Sequence, residues 1–341
     1  MDMRSGNTRA PSRGGFTLVE LLVVIAIIGM ISAIAVPTIF GAVASARNAK
    51  TKAEVDMLHT ALMNYKNEYG SFPPANMNGL WTGSAVNTSH AAYKHLVKIF
   101  PRLSENTSAA GPFPQMATMS PAQALVFWLS GFYQNPEYPI TNGNPNWPGS
   151  DPSGSTGGTR QKFFDFDETR LYAASPYYVS GSPVRQTFAA RGSPAAASMS
   201  AFPVYFTGHP SAGLPYVYFD SRCYSNAPND VRYLVTNVQG DNSEAYPYFN
   251  AFPPSNGTWG QQHMNADTFQ IIAPGKDGSF GGQPAVFPRG SGLTYTLNFG
   301  GATYVPAYAD DKNNAPYHLD NITNFADRPL ADAIEAIKAQ K

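Results

Sequence analysis

Hydrophobic and polar positions divide the first 70 residues of the chain into two patterns. Residues 16–36 are almost entirely apolar, with Glu20 as one acidic residue and no basic residue, and Pro37 closes the run. Further along, apolar and aromatic residues recur in steps of three and four, at Val55, Leu58, Leu62, Tyr65 and Tyr69. These patterns predict one helix over residues 16–70, apolar on all sides over 16–37 and amphipathic over 38–70.

In the rest of the chain, frequent glycine and proline residues separate short predicted elements. Gly70 and Pro73-Pro74 are typical of a helix end. The patterns beyond them predict helices at 91–100, 121–133 and 330–337, and strands at 203–206, 214–220 and 269–273. Glycine-rich turns at 290–292 and 300–301 predict a hairpin within residues 283–318. The predicted fold class is α+β, a long N-terminal helix packed on a small antiparallel-sheet head with large loop-rich insertions.

Composition narrows the functional classes. The 341 residues include 23 basic and 23 acidic residues, and this balance is unlike the basic surface of a nucleic-acid-binding protein. Glycine (30), proline (29), tyrosine (19) and phenylalanine (21) are abundant, which favours a loop-rich folded head over a disordered chain. A single cysteine, Cys223, excludes an intrachain disulfide, and we expect this thiol to be buried as a small apolar group.

The apolar run allows three interpretations. A secretory signal would be removed after a small-residue site such as 33–35, but residues 16–36 are long for such a signal. A plain membrane anchor needs about 20 apolar residues, and the arginines of the first 15 residues would stay cytoplasmic. Neither explains Glu20, because an acidic group within a membrane helix costs roughly 2.5–3.5 kcal/mol and usually has a partner.

The third interpretation explains the acidic residue. The segment Gly14-Gly15-Phe16-Thr17-Leu18-Val19-Glu20-Leu21-Leu22 closely resembles the prepilin signature of type IV pilins and type II secretion pseudopilins. The resemblance implies that a prepilin peptidase removes residues 1–15 between Gly15 and Phe16. It also implies methylation of the new amino group of Phe16, pairing of Glu20 with the Phe16 amine of a neighbouring subunit, and a helix-kinking role for Pro37. A buried carboxylate is tolerable only when it is paired, and here assembly would supply the partner.

Two later segments resemble the calcium loop of major pseudopilins. Residues 269–282 combine a strand with a glycine-rich turn around Asp277-Gly278, and residues 319–325 include Asp320-Asn321 followed by Ile-Thr-Asn-Phe. The resemblance implies a calcium site with Asp277, Asp320 and Asn321 as ligands, since calcium prefers carboxylate and amide oxygens. An Asp-Gly turn without metal is the alternative interpretation of Asp277. The insertion at 283–318 and the uncharged Asn321 depart from the family pattern.

No motif of a catalytic site occurs in the chain. The six histidines lack metal-ligand spacing, and phosphate-binding and nucleophile-elbow motifs are absent from the sequence. We therefore expect that the protein is not an enzyme.

The resemblance implies a particular organisation and role. Residues 1–15 are a leader, 16–37 a transmembrane and assembly helix, 38–70 its amphipathic continuation, and 71–341 an ectodomain. Within the ectodomain, 75–265 is an insertion of unassigned role and 268–325 is the pseudopilin-like region. We expect a structural subunit of a homo-oligomeric filament, most like a major pseudopilin of type II secretion, made in the bacterial inner membrane with its head outside the cytoplasm.

Two alternative functions remain open at this point. One is a major or minor subunit of a surface type IV pilus, which shares the N-terminal helix. The other is a membrane-anchored module that binds a sugar or a protein through its aromatic residues, among them Trp81, Trp128, Trp147 and Trp259.

Overall fold

A computed structural model of the chain separates it into two compact units, residues 1–47 and 48–341. It describes residues 16–104, 107–140, 160–180, 182–189, 199–208, 213–224, 233–236, 242–252, 260–263, 265–275, 278–280, 297–299, 302–304 and 321–326. The strands at 249–252, 260–263, 297–299 and 302–304 are described by their backbone alone. The predicted leader, Asp277, Asp320 and the predicted helix at 330–337 lie outside these residues.

Four α-helices occur in the described part of the chain: α1 (Leu18–Tyr69), α2 (Ala91–Ile99), α3 (Phe113–Met116) and α4 (Pro121–Leu129). The long helix α1 confirms the helix predicted over residues 16–70. It stops at Gly70, which has φ +74° and donates its N–H to the Lys66 carbonyl at 2.7 Å. A glycine in this left-handed conformation is a common helix end.

The strands are short. They are β1 (Trp81–Thr82), β2 (Ala85–Val86), β3 (Phe132–Tyr133), β4 (Arg160–Gln161), β5 (Leu171–Ala174), β6 (Tyr178–Val179), β7 (Ser182–Pro183), β8 (Phe188–Ala189), β9 (Pro203–Tyr205), β10 (Val217–Asp220), β11 (Tyr233–Thr236), β12 (Asn242–Ala245), β13 (Phe249–Phe252), β14 (Gly260–His263), β15 (Phe269–Ala273), β16 (Leu297–Phe299), β17 (Ala302–Tyr304) and β18 (Ile322–Thr323). The predicted strands at 203–206 and 269–273 are confirmed as β9 and β15. The strand predicted at 214–220 is confirmed over its last four residues, which form β10.

The strands form several small antiparallel sheets. Their orders are β10-β15-β18, β8-β5-β9 and β14-β13-β17-β16, with two-stranded pairs β1-β2, β3-β4, β6-β7 and β11-β12. Strand β15 is central in its sheet, with Phe219 opposite Gln270 and Thr323 opposite Ile272. Strands β16 and β17 pair on either side of residues 300–301, which confirms the hairpin predicted within the C-terminal insertion. Together, these elements confirm the predicted α+β class.

The helix predicted over 121–133 is shorter than expected. Helix α4 ends at Leu129, and Phe132 and Tyr133 instead form β3, which pairs with β4. Gly131 separates the two elements with φ +75°, and a Cβ atom at this glycine would lie 1.7 Å from the Gln161 carbonyl oxygen. The close approach of β4 therefore requires a glycine in a left-handed conformation, and the helix cannot continue through it.

One hydrophobic core joins α1, α4 and the central strands. Val55, Leu58, Leu62 and Tyr65 of α1 are fully buried, as the step of three and four predicts. Helix α4 is buried on all sides, and Trp128 in its last turn is fully buried. Cys223 is buried as well, and burial raises the pKa of its thiol well above the ordinary value. Its expected role as a packed apolar group is confirmed.

Candidate assembly site

The first part of α1 exposes nearly all of its apolar surface. Large apolar side chains from Leu18 to Val43 are exposed, and Phe16, just before the helix, is 74% exposed. A window of 18 residues in α1 has a mean hydropathy of 2.8, and none of it is buried. A helix that is apolar on every side needs a nonaqueous environment, either a bilayer or other protein. By length and composition, α1 can cross a membrane.

Glu20 forms a capping box with Thr17 at the start of α1. The Glu20 carboxylate accepts hydrogen bonds from the backbone N–H (2.9 Å) and the hydroxyl (2.7 Å) of Thr17. In return, the backbone N–H of Glu20 donates to the Thr17 hydroxyl at 3.2 Å. These bonds satisfy backbone donors that the first turn of a helix leaves without intrahelical partners. The carboxylate is thus held one turn from Phe16, on the exposed end of the apolar helix.

Pro37 lies inside α1, and the helix continues through it to Tyr69. Proline has no N–H to donate to the preceding turn. Beside it, the hydroxyl of Thr38 donates to the carbonyl of Ala35 at 2.8 Å and of Ile34 at 3.3 Å. Such a bond from a threonine hydroxyl to a carbonyl of the preceding turn often accompanies a bend in a helix.

A buried ion pair fastens the second part of α1 to the head. Glu54 of α1 receives two hydrogen bonds from the Arg170 guanidinium, at 2.5 and 2.7 Å, and a third from the Tyr216 hydroxyl. Burial alone would raise the pKa of Glu54, but these donors outweigh it and hold that pKa below its ordinary value. Arg170 also donates to the Phe206 carbonyl at 2.9 Å and stacks over the Tyr205 ring. Two residues of the head, Arg170 and Tyr216, therefore bind one side chain of α1.

The four residues that follow α1 and its terminal turn are held by side chains of β10, its following turn and α4. The carbonyl groups of Phe72, Pro73 and Pro74 accept hydrogen bonds from Arg222, Tyr218 and Trp128, each at 2.8 Å, and the Ala75 N–H donates to Asp220 at 2.5 Å. Consecutive prolines cannot form a regular ladder, so their carbonyl groups need side-chain donors when buried. This clamp fixes where the chain leaves α1.

His95 of α2 contacts the same end of α1. Its Nε2 atom lies 2.9 Å from the Tyr65 hydroxyl and its Nδ1 atom 3.2 Å from the Ser71 hydroxyl. Burial, followed by repulsion from Arg222 and Lys98, lowers the pKa of His95 to about 3. The ring is therefore neutral at physiological pH, and it packs in the core as a structural histidine.

Of the three predicted calcium ligands, the structure describes Asn321. Its side-chain N–H₂ donates to the Tyr248 hydroxyl at 2.9 Å and to the Phe280 carbonyl at 3.1 Å. Its Oδ1 atom is buried and has no hydrogen-bond partner among the described residues. The described residues contain no group of three or more histidine, cysteine, aspartate or glutamate side chains that could hold a metal ion.

The sequence analysis missed the polar residues that attach α1 to the head. Glu54 and Arg170, and likewise Trp128 and Asp220, lie far apart in sequence from the groups that they bind. One signal was available for Glu54, because it is one helical turn before Leu58 on the apolar face, where a carboxylate needs a buried partner. Nothing in the sequence indicated which residue that partner would be.

Comparisons with known proteins find similarity over part of the chain. The family model described as the prokaryotic N-terminal methylation motif matches residues 11–36. The type IV major pilin protein PilA of Myxococcus xanthus (strain DK1622) is 37% identical over 65 residues, which are 18% of this chain and 30% of the relative. The chain thus matches less than a third of the length of that relative. No solved structure matches the chain.

The family match coincides with the apolar first part of α1. Residues 11–36 include the predicted cleavage position, Phe16 and the capping box of Thr17 and Glu20. The first part of α1 is therefore similar to the prokaryotic N-terminal methylation motif.

Proposed function

We propose that this chain is a structural subunit of a type IV pilin-like filament, most like a major pseudopilin of a type II secretion system. The proposal rests on one observation: the apolar first part of α1 is exposed and matches the methylation motif. Copies of this helix would bury their apolar faces against one another, after storage of the unassembled subunit in the inner membrane. The head would coat the outside of the filament.

Processing would prepare the helix for assembly. A prepilin peptidase would cut between Gly15 and Phe16 and so create a new amino group at Phe16. In the unassembled subunit, Glu20 is satisfied by Thr17, which lowers the cost of keeping this carboxylate in an apolar environment. In the filament, Glu20 would pair with the Phe16 amine of a neighbour, because a buried charge needs an opposite charge. Pro37 would adjust the path of the helix within the bundle.

The Glu20 pairing can be tested with Glu20→Gln and Glu20→Ala in the native secretion or pilus machinery. Filament yield should fall severely in both variants, while membrane insertion and cleavage after Gly15 stay normal in the same cells. Glu68→Gln is the matched control, because Glu68 is an exposed acidic residue near the other end of the same helix. An unchanged filament yield in both Glu20 variants would refute the pairing.

The resemblance of the C-terminal segments favours secretion over a surface pilus. Deletion of the gene should therefore stop the export of folded proteins through the outer membrane and leave surface pili in place. Loss of surface pili with normal export would assign the chain to a pilus instead. A sugar- or protein-binding role through aromatic residues has less support, because Trp128 is fully buried and donates its N–H to the Pro74 carbonyl.

We further propose that Asp277, Asp320 and Asn321 bind calcium. The buried Oδ1 atom of Asn321 fits such a role, since it is an oxygen of the kind that calcium prefers and has no described hydrogen-bond partner. Calcium would then stabilise the folded state by an amount that grows with the logarithm of its concentration above the dissociation constant. The test is a calcium titration of the melting temperature of the full chain in detergent, with magnesium as the control ion. A rise that disappears in Asp277→Ala and in Asp320→Ala supports the site, whereas no rise in the wild type refutes it.

A further inference from the structure

The C-terminal segment, residues 321–326, contacts the head half of α1 through two polar contacts. The ammonium of Lys52 donates to the Thr323 carbonyl at 3.2 Å, and the Nδ1 atom of His59 lies 3.2 Å from the Asn324 side-chain nitrogen. The same segment also pairs with the sheet, since two residues of β18 pair with β15. Side chains of Asn321 and Asn324 add hydrogen bonds to the head, so the two contacts with α1 are part of a larger set that holds the segment.

The hydrogen bonds of Asn324 define the protonation state that His59 must have. The Ile271 backbone N–H donates to the Asn324 Oδ1 atom at 2.9 Å, so this atom is the carbonyl oxygen of the amide. The other end of the amide is the N–H₂ group, which contacts the Phe269 carbonyl at 3.3 Å and points at the His59 Nδ1 atom. An N–H₂ group can only donate, so the Nδ1 atom must accept and cannot carry a proton.

Protonation would convert this contact into a repulsive one. Both ring nitrogens of a charged histidine are donors, so an N–H would face the N–H₂ group of Asn324. The charged groups near His59 are Lys52 and Asp56, which lie on α1 and pair with each other at 2.8 Å. From β15 and the C-terminal segment, the groups that face the ring are Phe269, with ring centroids 5.0 Å apart, and Asn324, and neither is charged.

We propose that His59 and Asn324 form a pH-sensitive latch, which helps to hold the C-terminal segment on α1 when His59 is neutral and loosens that segment when His59 is protonated. Burial, helped by Lys52 and opposed by Asp56, lowers the pKa of His59, as a latch that is closed at neutral pH requires. The latch belongs to the single subunit and goes beyond the proposed assembly function, so it can be tested on unassembled protein.

The test is amide hydrogen exchange of the full chain in detergent micelles with EDTA present, at pH 7.5 and pH 5. The peptide that covers residues 321–326 is compared between wild type and His59→Gln at the same pH, so intrinsic exchange rates cancel. Glutamine keeps an acceptor oxygen for Asn324 and does not titrate. We expect equal exchange at pH 7.5, and about two- to tenfold faster exchange of the wild type at pH 5, the range for one lost hydrogen bond.

Two further variants make the result independent of that one substitution. His59→Lys carries a permanent charge without an acceptor and should loosen the segment at both pH values. Asn324→Asp supplies an acceptor for a protonated histidine, so acidification should slow exchange rather than speed it. In each case, exchange of the peptide that covers α4 should stay at its wild-type level, as evidence that the head remains folded.

Equal acid-induced exchange in the wild type and in His59→Gln would overturn the proposal, because another group would then be responsible. Retention of the wild-type direction of pH dependence in Asn324→Asp would overturn it as well.

Discussion

The apolar first part of α1 and the second part, which packs on the head, belong to one continuous helix, but their apolar side chains have different surroundings. Ile27 and Met57 are about equally exposed, at 54% and 52%, yet Ile27 is surrounded by other exposed apolar side chains and Met57 lies opposite a buried face. Around Met57, the apolar side chains of the other face are covered by the head. In the apolar window of α1, none of the residues is buried.

The comparison shows that helix formation and helix environment are separate properties. Backbone hydrogen bonds close within a helix whether or not its side chains are buried. The apolar part leaves a large surface for a bilayer or for other subunits, whereas the head part encloses a carboxylate, Glu54, that its own chain neutralises. The same helix therefore serves two interfaces with different chemistry, and each can be perturbed separately.

The largest expected effect is on the part of α1 that packs on the head. Glu54→Ala leaves the buried guanidinium of Arg170 without its carboxylate, which should lower the free energy of unfolding by about 3–5 kcal/mol. Urea denaturation of the full chain in detergent measures it. Asp56→Ala is the matched control two residues away, because Asp56 is 56% exposed and its pairing with Lys52 should contribute less than about 1 kcal/mol. Similar losses in both variants would contradict the distinction between the two carboxylates.

A charge placed on each part of α1 tests the comparison directly. Ile27→Lys puts an ammonium near the middle of the apolar run and should cost about 2.5–3.5 kcal/mol of membrane insertion. Met57→Lys, at an equally exposed position, should leave insertion and stability within about 0.5 kcal/mol of wild type. Carbonate extraction of membranes and urea denaturation measure the two properties. Normal membrane retention of Ile27→Lys would show that residues 16–36 are not the anchor.

Acidification should lower the free energy of unfolding of the head, because it favours protonation of His95. Folding lowers the pKa of His95 from 6.5 to about 3. Between pH 6.5 and pH 3, His95 is therefore protonated in the unfolded chain and neutral in the folded chain. The stability from neutral His95 is therefore complete above pH 6.5 and is lost as pH falls toward 3, at about 1.4 kcal/mol per pH unit, or roughly 2 kcal/mol by pH 5.

Urea denaturation at pH 7 and pH 5 measures this loss of stability. The pKa values of His59 and His90 are also lowered, so these histidines add to the loss in the same direction. His95→Gln should be less stable at pH 7 but should lose less stability on acidification. An equal loss in the variant and in the wild type would assign the pH dependence to other groups.

The smallest expected effect tests the clamp that follows α1. Tyr218→Phe removes the hydroxyl that donates to the Pro73 carbonyl at 2.8 Å and keeps the ring. A buried carbonyl without a donor should lower the free energy of unfolding by about 1–2 kcal/mol. Thermal unfolding of the full chain in detergent measures the loss, and a melting temperature equal to that of the wild type would show that the clamp does not contribute to stability.

Local patterns in the sequence predicted a large share of the fold. The step of three and four identified the buried face of α1, and Gly70 marked its end, because both depend on residues within one or two helical turns. Strands β9, β10 and β15 were predicted for a similar reason, since their apolar and β-branched residues are adjacent. The end of α4 was wrong by several residues because Gly131 is required by β4, about 30 residues further along the chain.

The assembly roles of Phe16, Glu20 and Pro37 stay predictions. Phe16 and Glu20 are close together in the sequence, and the matched family model covers both. The predicted ligands Asp277 and Asp320 lie outside the described residues, so the calcium site stays a prediction with Asn321 as its described member.

The sequence by itself determined that a long apolar helix with one acidic residue begins the chain and that an α+β head follows. These properties depend on neighbours in sequence, where the spacing of side chains is set by the backbone repeat. Only the tertiary structure decided which residues fasten the helix to the head. Arg170 is 116 residues from Glu54, Asp220 is 145 residues from Ala75, and Asn324 is 265 residues from His59. Contacts across such distances arise only when the core has packed, because packing, rather than sequence spacing, places the two groups within hydrogen-bond reach.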